Sequence, residues 1–163
     1  MNKGKQPRAI LVFGVPMSGK SAFAEHFSEQ FHAPHLNLTS LERDHNIPRR
    51  TLLVIIKELA KCKQTIVIEG GISTEADRAE IKSLMSNNGY LTSLVWVQTD
   101  LATIKRRLKV RFGDKAKTIF EHETTKLEAP VINEHPIVVS GKHTWESQLR
   151  TVLANLSRDD SPR

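Results

Sequence analysis

Near the amino terminus, glycine, lysine and serine residues follow an apolar run at a spacing that suits the binding of phosphate. Gly14–Ser21 reads Gly-Val-Pro-Met-Ser-Gly-Lys-Ser. The glycines let successive backbone N–H groups converge on an anion, because no Cβ obstructs its approach. Lys20 brings a positive charge to the β- and γ-phosphates, and the Ser21 hydroxyl is placed to ligate Mg²⁺. We therefore predict a nucleoside triphosphate site made by Gly14, Val15, Pro16, Met17, Ser18, Gly19, Lys20 and Ser21.

A carboxylate ends a second apolar run. Glu69 follows Thr65-Ile66-Val67-Ile68 and precedes two glycines. At the end of a buried strand, a carboxylate can hold Mg²⁺ through water or accept a proton from a substrate hydroxyl. We predict Glu69 as a catalytic residue and, with Ser21, as a metal ligand.

Two arginines, Arg107 and Arg111, are four residues apart and so share one face of a helix. Two guanidinium groups on one face suit a triphosphate, or a base stacked on a planar cation. We predict Arg107 as a nucleotide-binding residue and Arg111 as a catalytic residue. Lys105, Arg106 and Lys109 are expected to form a solvated basic face.

Two further positions have both a functional and a structural interpretation. Arg78 lies about one turn inside the helix after Glu69, where it can point towards a substrate anion. Gly141 lies in Ser140-Gly141-Lys142-His143, between the last strand and the last helix, where backbone groups can wrap the nucleotide base. We predict Arg78 as a substrate-binding residue and Gly141 as a nucleotide-binding residue. The seven histidines show no zinc spacing.

The elements that position these residues alternate between strand and helix. Apolar runs predict strands at 9–13, 35–38, 65–68, 91–97 and 137–139. Helices are predicted between them, with caps at Ser73 or Thr74, at Thr99 or Asp100, and at Thr144, while 39–46 is a loop or short helix. This alternation predicts a three-layer α/β fold, an open parallel five-stranded sheet with helices on both faces. Ligands in such sheets lie at the carboxyl ends of the strands, where Gly14, Glu69 and Ser140 occur.

Length and composition predict a single domain. For a chain of 163 residues we expect a core domain over 9–156, a flexible basic segment over 1–8 and a flexible tail over 157–163. The single cysteine excludes an internal disulfide framework and suits the cytoplasm. No signal peptide or membrane span is predicted. A net charge of +6 favours anionic ligands, which nucleotides satisfy; it permits nucleic acid without favouring it.

The chain resembles a small P-loop kinase, similar to adenylate kinase and closer to the small ATP-binding metabolite and polynucleotide-end kinases. The matching features are Gly14–Ser21, Glu69 and Gly70 with Arg78, the Arg107 and Arg111 pair, and the stretch 137–143. The resemblance implies strand order 2-3-1-4-5, ATP and Mg²⁺ as cofactors, and a lid over about 107–118. It also implies that Arg107 and Arg111 are lid arginines, one near the base and one on the phosphates. In that group an acidic residue and an arginine after the second strand gather the acceptor; here the acid is displaced to Glu42 or Asp44.

We therefore expect a phosphotransferase that moves the γ-phosphoryl group of Mg-ATP to a small metabolite or nucleotide acceptor. One alternative is a kinase of nucleic-acid 5′ ends, which the basic charge motivates. Another alternative is an ATP-binding regulatory module with slow hydrolysis. We consider it because the acidic residue after the second strand is displaced and because no clear catalytic base is found.

Overall fold

Five parallel strands form the centre of the molecule in a computed structural model that describes residues 6–159. The strands are β1 (Arg8–Phe13), β2 (His35–Asn37), β3 (Ile66–Glu69), β4 (Leu91–Gln98) and β5 (Ile137–Ser140). Their order in the sheet is β2-β3-β1-β4-β5, and every pairing is parallel. The predicted strand order is confirmed.

Seven α-helices connect and follow the strands within the described residues. They are α1 (Lys20–Phe31), α2 (Leu38–Asp44), α3 (Arg49–Ala60), α4 (Glu75–Asn87), α5 (Leu101–Phe112), α6 (Ala116–Thr125) and α7 (Trp145–Asp159), with 3₁₀ turns at Gly113–Lys115 and Ile132–Glu134. Thr74 caps α4 in a reciprocal box with Asp77, and Asp100 caps α5. Thr74 and Asp100 are therefore the capping residues, and not Ser73 and Thr99. The segment 39–46, predicted as a loop or short helix, is largely the helix α2.

Two apolar layers enclose the sheet because successive residues of a strand face opposite sides. Ala9, Leu11 and Phe13 of β1 pack with residues of α3 and α4. Ile10 and Val12 pack with residues of α1 and α7 on the other side. The three-layer arrangement predicted from the sequence is therefore confirmed.

The predicted terminal segments differ from the structure where it describes them. Arg8 is not part of a loose lead-in: it begins β1, is buried, and donates hydrogen bonds to Ser93 Oγ (3.1 Å) and the Leu156 carbonyl (3.2 Å). At the other end, α7 continues through Asp159, so the helix includes the first three residues of the predicted tail. The predictions for 1–5 and 160–163 lie outside the described residues.

The register of the sheet brings the predicted site to one edge. Val12 pairs with Glu69, Phe13 with Trp96, and Gln98 with Ser140. The carboxyl ends of β1, β3, β4 and β5 therefore meet where the glycine-rich loop begins. Among residues 6–159, no helix has the length and apolar character needed to cross a bilayer.

Candidate active site

The loop between β1 and α1 has a backbone that its two glycines make possible. At Gly14, a Cβ would collide with the Val97 carbonyl oxygen and would lie 2.8 Å from Ser18 Oγ. Gly19 has a φ of 102°, in the left-handed region, and caps α1. Ser18 is fully buried, and its hydroxyl has no hydrogen-bond partner among the described residues. The loop has the open cradle and the helix start that a phosphate group requires.

Lys20, the first residue of α1, is half-buried beside two carboxylates. Burial lowers the pKa of the Lys20 ammonium below its ordinary value, and the charges of Glu69 and Glu123 oppose that change. An anion at the loop would add to the charges that stabilise the protonated lysine.

Ser21, Glu69 and His35 form a connected polar group next to Lys20. Ser21 Oγ donates to Glu69 Oε1 at 2.5 Å, and His35 Nε2 lies 3.1 Å from Glu69 Oε2. Glu69 is 1% exposed. Burial raises the pKa of Glu69, but hydrogen bonds from His35 and Ser21 and the charge of Lys20 outweigh it, so the net pKa is lowered. Glu69 is therefore an ionised, fully engaged carboxylate.

A hydroxyl and one carboxylate suit Mg²⁺ if phosphate oxygens and waters complete its coordination. Ser21 and Glu69 supply those two oxygen groups side by side. Within residues 6–159, no group of three or more His, Cys, Asp or Glu side chains forms a metal site of its own. The chemistry of these donors fits a magnesium ion that arrives with a nucleotide.

Arg107 and Gly141, both predicted to bind nucleotide, meet at the glycine-rich loop. Arg107 donates to the Met17 carbonyl at 3.0 Å and to the Gly141 carbonyl at 3.2 Å. A Cβ at Gly141 would collide with the Ser18 carbonyl, so only glycine permits this approach. Arg107 thus ties the loop to the segment after β5. Its guanidinium is engaged by protein carbonyls.

Arg111 lies one turn further along α5 and is exposed. Its Nη1 is 4.0 Å from Met17 Sδ, and its guanidinium lies 5.3 Å from the centre of the Phe112 ring. Arg107 and Arg111 line a cleft of about 420 Å³ that also includes Lys20, Gly141 and Trp145. Lys105, Arg106 and Lys109 are exposed, and none of them lines this cleft.

A second cavity, which we call the acceptor cavity, lies beyond the carboxyl ends of β2 and β3. It has a volume of about 460 Å³, and Thr39 and Gly71 line it where the chain leaves those strands. Its charged lining residues come from α2, α3, α4, α6 and the residue after α6: Glu42, Arg49, Asp77, Glu80, Glu123 and Lys126. Glu42, predicted to bind the substrate, therefore lines this cavity.

Two predicted substrate residues are not at the acceptor cavity. Asp44 stays at the surface, where it accepts hydrogen bonds from Ser40 Oγ and Arg43 Nε, both at 2.9 Å. Arg78 is 2% exposed and binds both carboxylate oxygens of Glu134, at 2.6 and 2.9 Å. Because protein groups inside the molecule engage its guanidinium, Arg78 has a structural role here, and its predicted role in substrate binding stays a prediction.

The lid predicted over 107–118 includes the end of α5, a 3₁₀ turn and the start of α6. Arg107 within it is already tied to the loop. The α6 residues that line the acceptor cavity, His122 and Glu123, lie beyond the predicted boundary. The lid over 107–118 stays a prediction.

The polar residues at the site that were not predicted from the sequence include His35, Arg49 and Glu123. His35 could have been found from strand register, since it pairs with Val67, two residues before Glu69 on the adjacent strand. Arg49 begins α3, and its position gave no local signal. Glu123 lies on a polar helix whose direction is set only by tertiary packing.

Comparison with known proteins identifies the group to which this fold belongs. A family model described as AAA domain matches residues 10–129, more than half of the chain. A gluconokinase from Sinorhizobium meliloti 1021 is 22% identical, with 94% of each chain covered and a TM-score of 0.70. No curated protein matches the sequence significantly.

Two other solved structures show the same similarity. The APS kinase CysC of Mycobacterium tuberculosis, in complex with AMPPNP and APS, is 16% identical; 93% of this chain and 98% of that chain are covered, with a TM-score of 0.69. Kti12 of Chaetomium thermophilum, in complex with ADP-AlF3, is 13% identical; 96% of this chain and all of that chain are covered, with a TM-score of 0.69. At these identities the similarity establishes the fold.

Proposed function

The chain belongs to the family described as AAA domain, and from that premise we propose that it is a phosphotransferase that uses Mg-ATP. It has the fold of the small P-loop kinases, as the sequence predicted. The acceptor would be the hydroxyl of a small molecule held in the acceptor cavity. One observation carries the proposal: Ser21, the last residue of the glycine-rich loop, donates to Glu69 at the end of β3, and the acceptor cavity begins at Gly71, two residues further along the chain. The acceptor cavity and the phosphate loop therefore belong to one site.

In this proposal the loop Gly14–Ser21 binds the phosphates through backbone N–H groups, and Lys20 neutralises charge on the β- and γ-phosphates. Ser21 and Glu69 would hold Mg²⁺, which supplies further charge neutralisation when bound. His35 orients Glu69 through its hydrogen bond. Because Glu69 is fully engaged, we assign it to the metal and not to proton transfer.

The chemical step joins the acceptor oxygen to the γ-phosphorus and breaks the bond from that phosphorus to the β–γ bridging oxygen. The acceptor proton passes to a carboxylate at the cavity, and we assign this role to Glu123, which lines the cavity and accepts no hydrogen bond from residues 6–159. Arg111, exposed at the nucleotide cleft, would approach the transferring group and stabilise its developing charge.

Transfer of label from [γ-³²P]ATP tests this function. The acceptors are a set of sugars and sugar alcohols, together with an oligonucleotide that has a free 5′ hydroxyl. We expect label in a small product, and none with Lys20→Ala. Label in the oligonucleotide would instead indicate an end kinase. Release of phosphate alone, unchanged by any acceptor, would indicate a regulatory module with slow hydrolysis.

We also propose that the protein acts in the cytoplasm. Its single cysteine, Cys62, is exposed and unpaired. A free thiol at the surface persists in a reducing compartment.

A further inference from the structure

We propose that the acceptor cavity selects a polyhydroxylated compound that carries an ammonium group, and that it rejects carboxylate, phosphate and sulfate acceptors. The inference rests on the proposed function and concerns the same cavity. Its basis is the arrangement of charge at the cavity wall, where the half-buried cation Arg49 already donates hydrogen bonds to protein groups, while two carboxylates, Glu42 and Glu123, accept none from residues 6–159.

Arg49 is the cation that an anionic acceptor would need, because its side chain is 27% exposed and enters the cavity wall. Its donors are already engaged. Nη1 donates to the Gly71 carbonyl at 2.5 Å, while Nε and Nη2 donate to Glu80 Oε2 at 3.1 and 2.9 Å. Asp77 and Glu42 add carboxylates at 3.7 and 3.8 Å. Three carboxylates and a carbonyl already neutralise this guanidinium.

Glu42 and Glu123 have unused acceptor capacity. Neither accepts a hydrogen bond from any residue in 6–159, although both are only 34% and 40% exposed. The nearest cation of Glu42 is the shared Arg49, and the nearest partner of Glu123 is His122 Nδ1 at 3.6 Å. Carboxylates of this kind accept hydrogen bonds from hydroxyl groups and pair with ammonium groups.

The charged residues that line the cavity have a net negative charge. Four carboxylates line it against two fixed cations, Arg49 and Lys126, which leaves two negative charges at the wall when His122 is neutral. The loop lysine, Lys20, lines the nucleotide cleft and not this cavity, and the charge of Glu123 already acts on it. Arg43 is nearby but is 66% exposed, is held by Asp44 and does not line the cavity. A carboxylate acceptor would therefore meet like charge from the wall as well as from the γ-phosphate. Like charges at a binding site are a common source of discrimination.

Three compounds with the same six-carbon skeleton test this inference: glucosamine, glucose and gluconate. Binding is measured by titration calorimetry with Mg²⁺ and a non-hydrolysable ATP analogue present. We expect glucosamine to bind at least tenfold more tightly than gluconate, with glucose between them. Preference for gluconate, equal affinity for all three, or no binding of glucosamine would overturn the inference.

Variants locate the selectivity in the cavity. Glu42→Gln and Glu123→Gln keep the side-chain shape and remove one charge each, so each should reduce the glucosamine-to-gluconate preference by about threefold or more. Glu121→Gln, on the exposed face of α6 and 63% exposed, is the matched control and should change nothing. Equal effects of the three variants would show that the preference comes from the net charge of the protein and not from contacts in the cavity, which would overturn the inference.

The same titrations separate this inference from the proposed function. Failure of the ATP analogue to bind would contradict the phosphotransferase itself. Binding of the analogue with the wrong order of the three sugars would overturn only the charge selectivity of the acceptor cavity.

Discussion

Removal of the loop lysine separates a ligand-binding role from a structural one. In the free protein, burial disfavours the charged form of Lys20, while Glu69 and Glu123 favour it. These effects oppose each other, so Lys20→Ala should change the free energy of unfolding by no more than about 1 kcal/mol. In the complex, phosphate adds a charge-assisted contact of about 1.5 to 3 kcal/mol that alanine cannot replace.

That contact corresponds to a loss of about 10- to 150-fold in affinity for Mg-ATP. Isothermal titration calorimetry at 25 °C without an acceptor measures it. Lys105→Ala is the matched control, because Lys105 is exposed on α5 and does not line the nucleotide cleft. Unchanged affinity of Lys20→Ala, or an equal loss in the control, would refute the assignment of the loop. A loss of several kcal/mol in stability would show a structural role instead.

Further predictions concern the arginines and the charge of the protein. Arg111→Ala should lower kcat more than it weakens ATP binding, while Lys109→Ala should change neither. Arg78→Ala removes a two-oxygen ion pair and should cost about 3 kcal/mol, or about 6 to 12 °C in Tm by calorimetry. The hydrogen bond from Arg78 lowers the pKa of Glu134, so this contribution is present above the ordinary value of 4.5 and is lost as the pH falls through the lower folded value. Binding of a short single-stranded oligonucleotide should be weak, should decrease with salt, and should be displaced by Mg-ATP.

Each of these has an outcome that contradicts it. Equal small effects at Arg111 and Lys109 would show a solvated basic face on α5. Wild-type stability of Arg78→Ala, or an equal acid-induced loss in this variant and the wild type, would contradict the structural role of the Arg78–Glu134 pair. Oligonucleotide binding that persists in the presence of ATP would indicate a separate nucleic-acid surface.

The loop and the sheet could be predicted because their signals are local. Gly14–Ser21 has a fixed spacing, and the apolar strands and capping residues mark the elements in chain order. Thr74 and Asp100 cap their helices at positions that the sequence had narrowed to two residues each. Arg107 could be predicted because it shares a helix face with Arg111 and the loop is close in space.

The acceptor side could not be predicted because it depends on packing between distant segments. Arg78 has the same local context as a substrate-binding arginine, but Glu134, far along the chain, binds it. Arg49 meets Glu80 only because α3 and α4 pack together. Glu123 lies at the acceptor cavity because α6 packs back against α5. Helical spacing alone contains none of this information.

A crystal structure with Mg²⁺ and a non-hydrolysable ATP analogue tests the central claim most directly. We predict that the Gly14–Ser21 loop, including Lys20, binds the β- and γ-phosphates. Mg²⁺ should be held by the Ser21 hydroxyl and the Glu69 carboxylate. The γ-phosphate should face the acceptor cavity, which Glu42 and Glu123 line. A nucleotide bound away from the loop, or a γ-phosphate closed off from that cavity by protein, would contradict the proposed phosphotransferase.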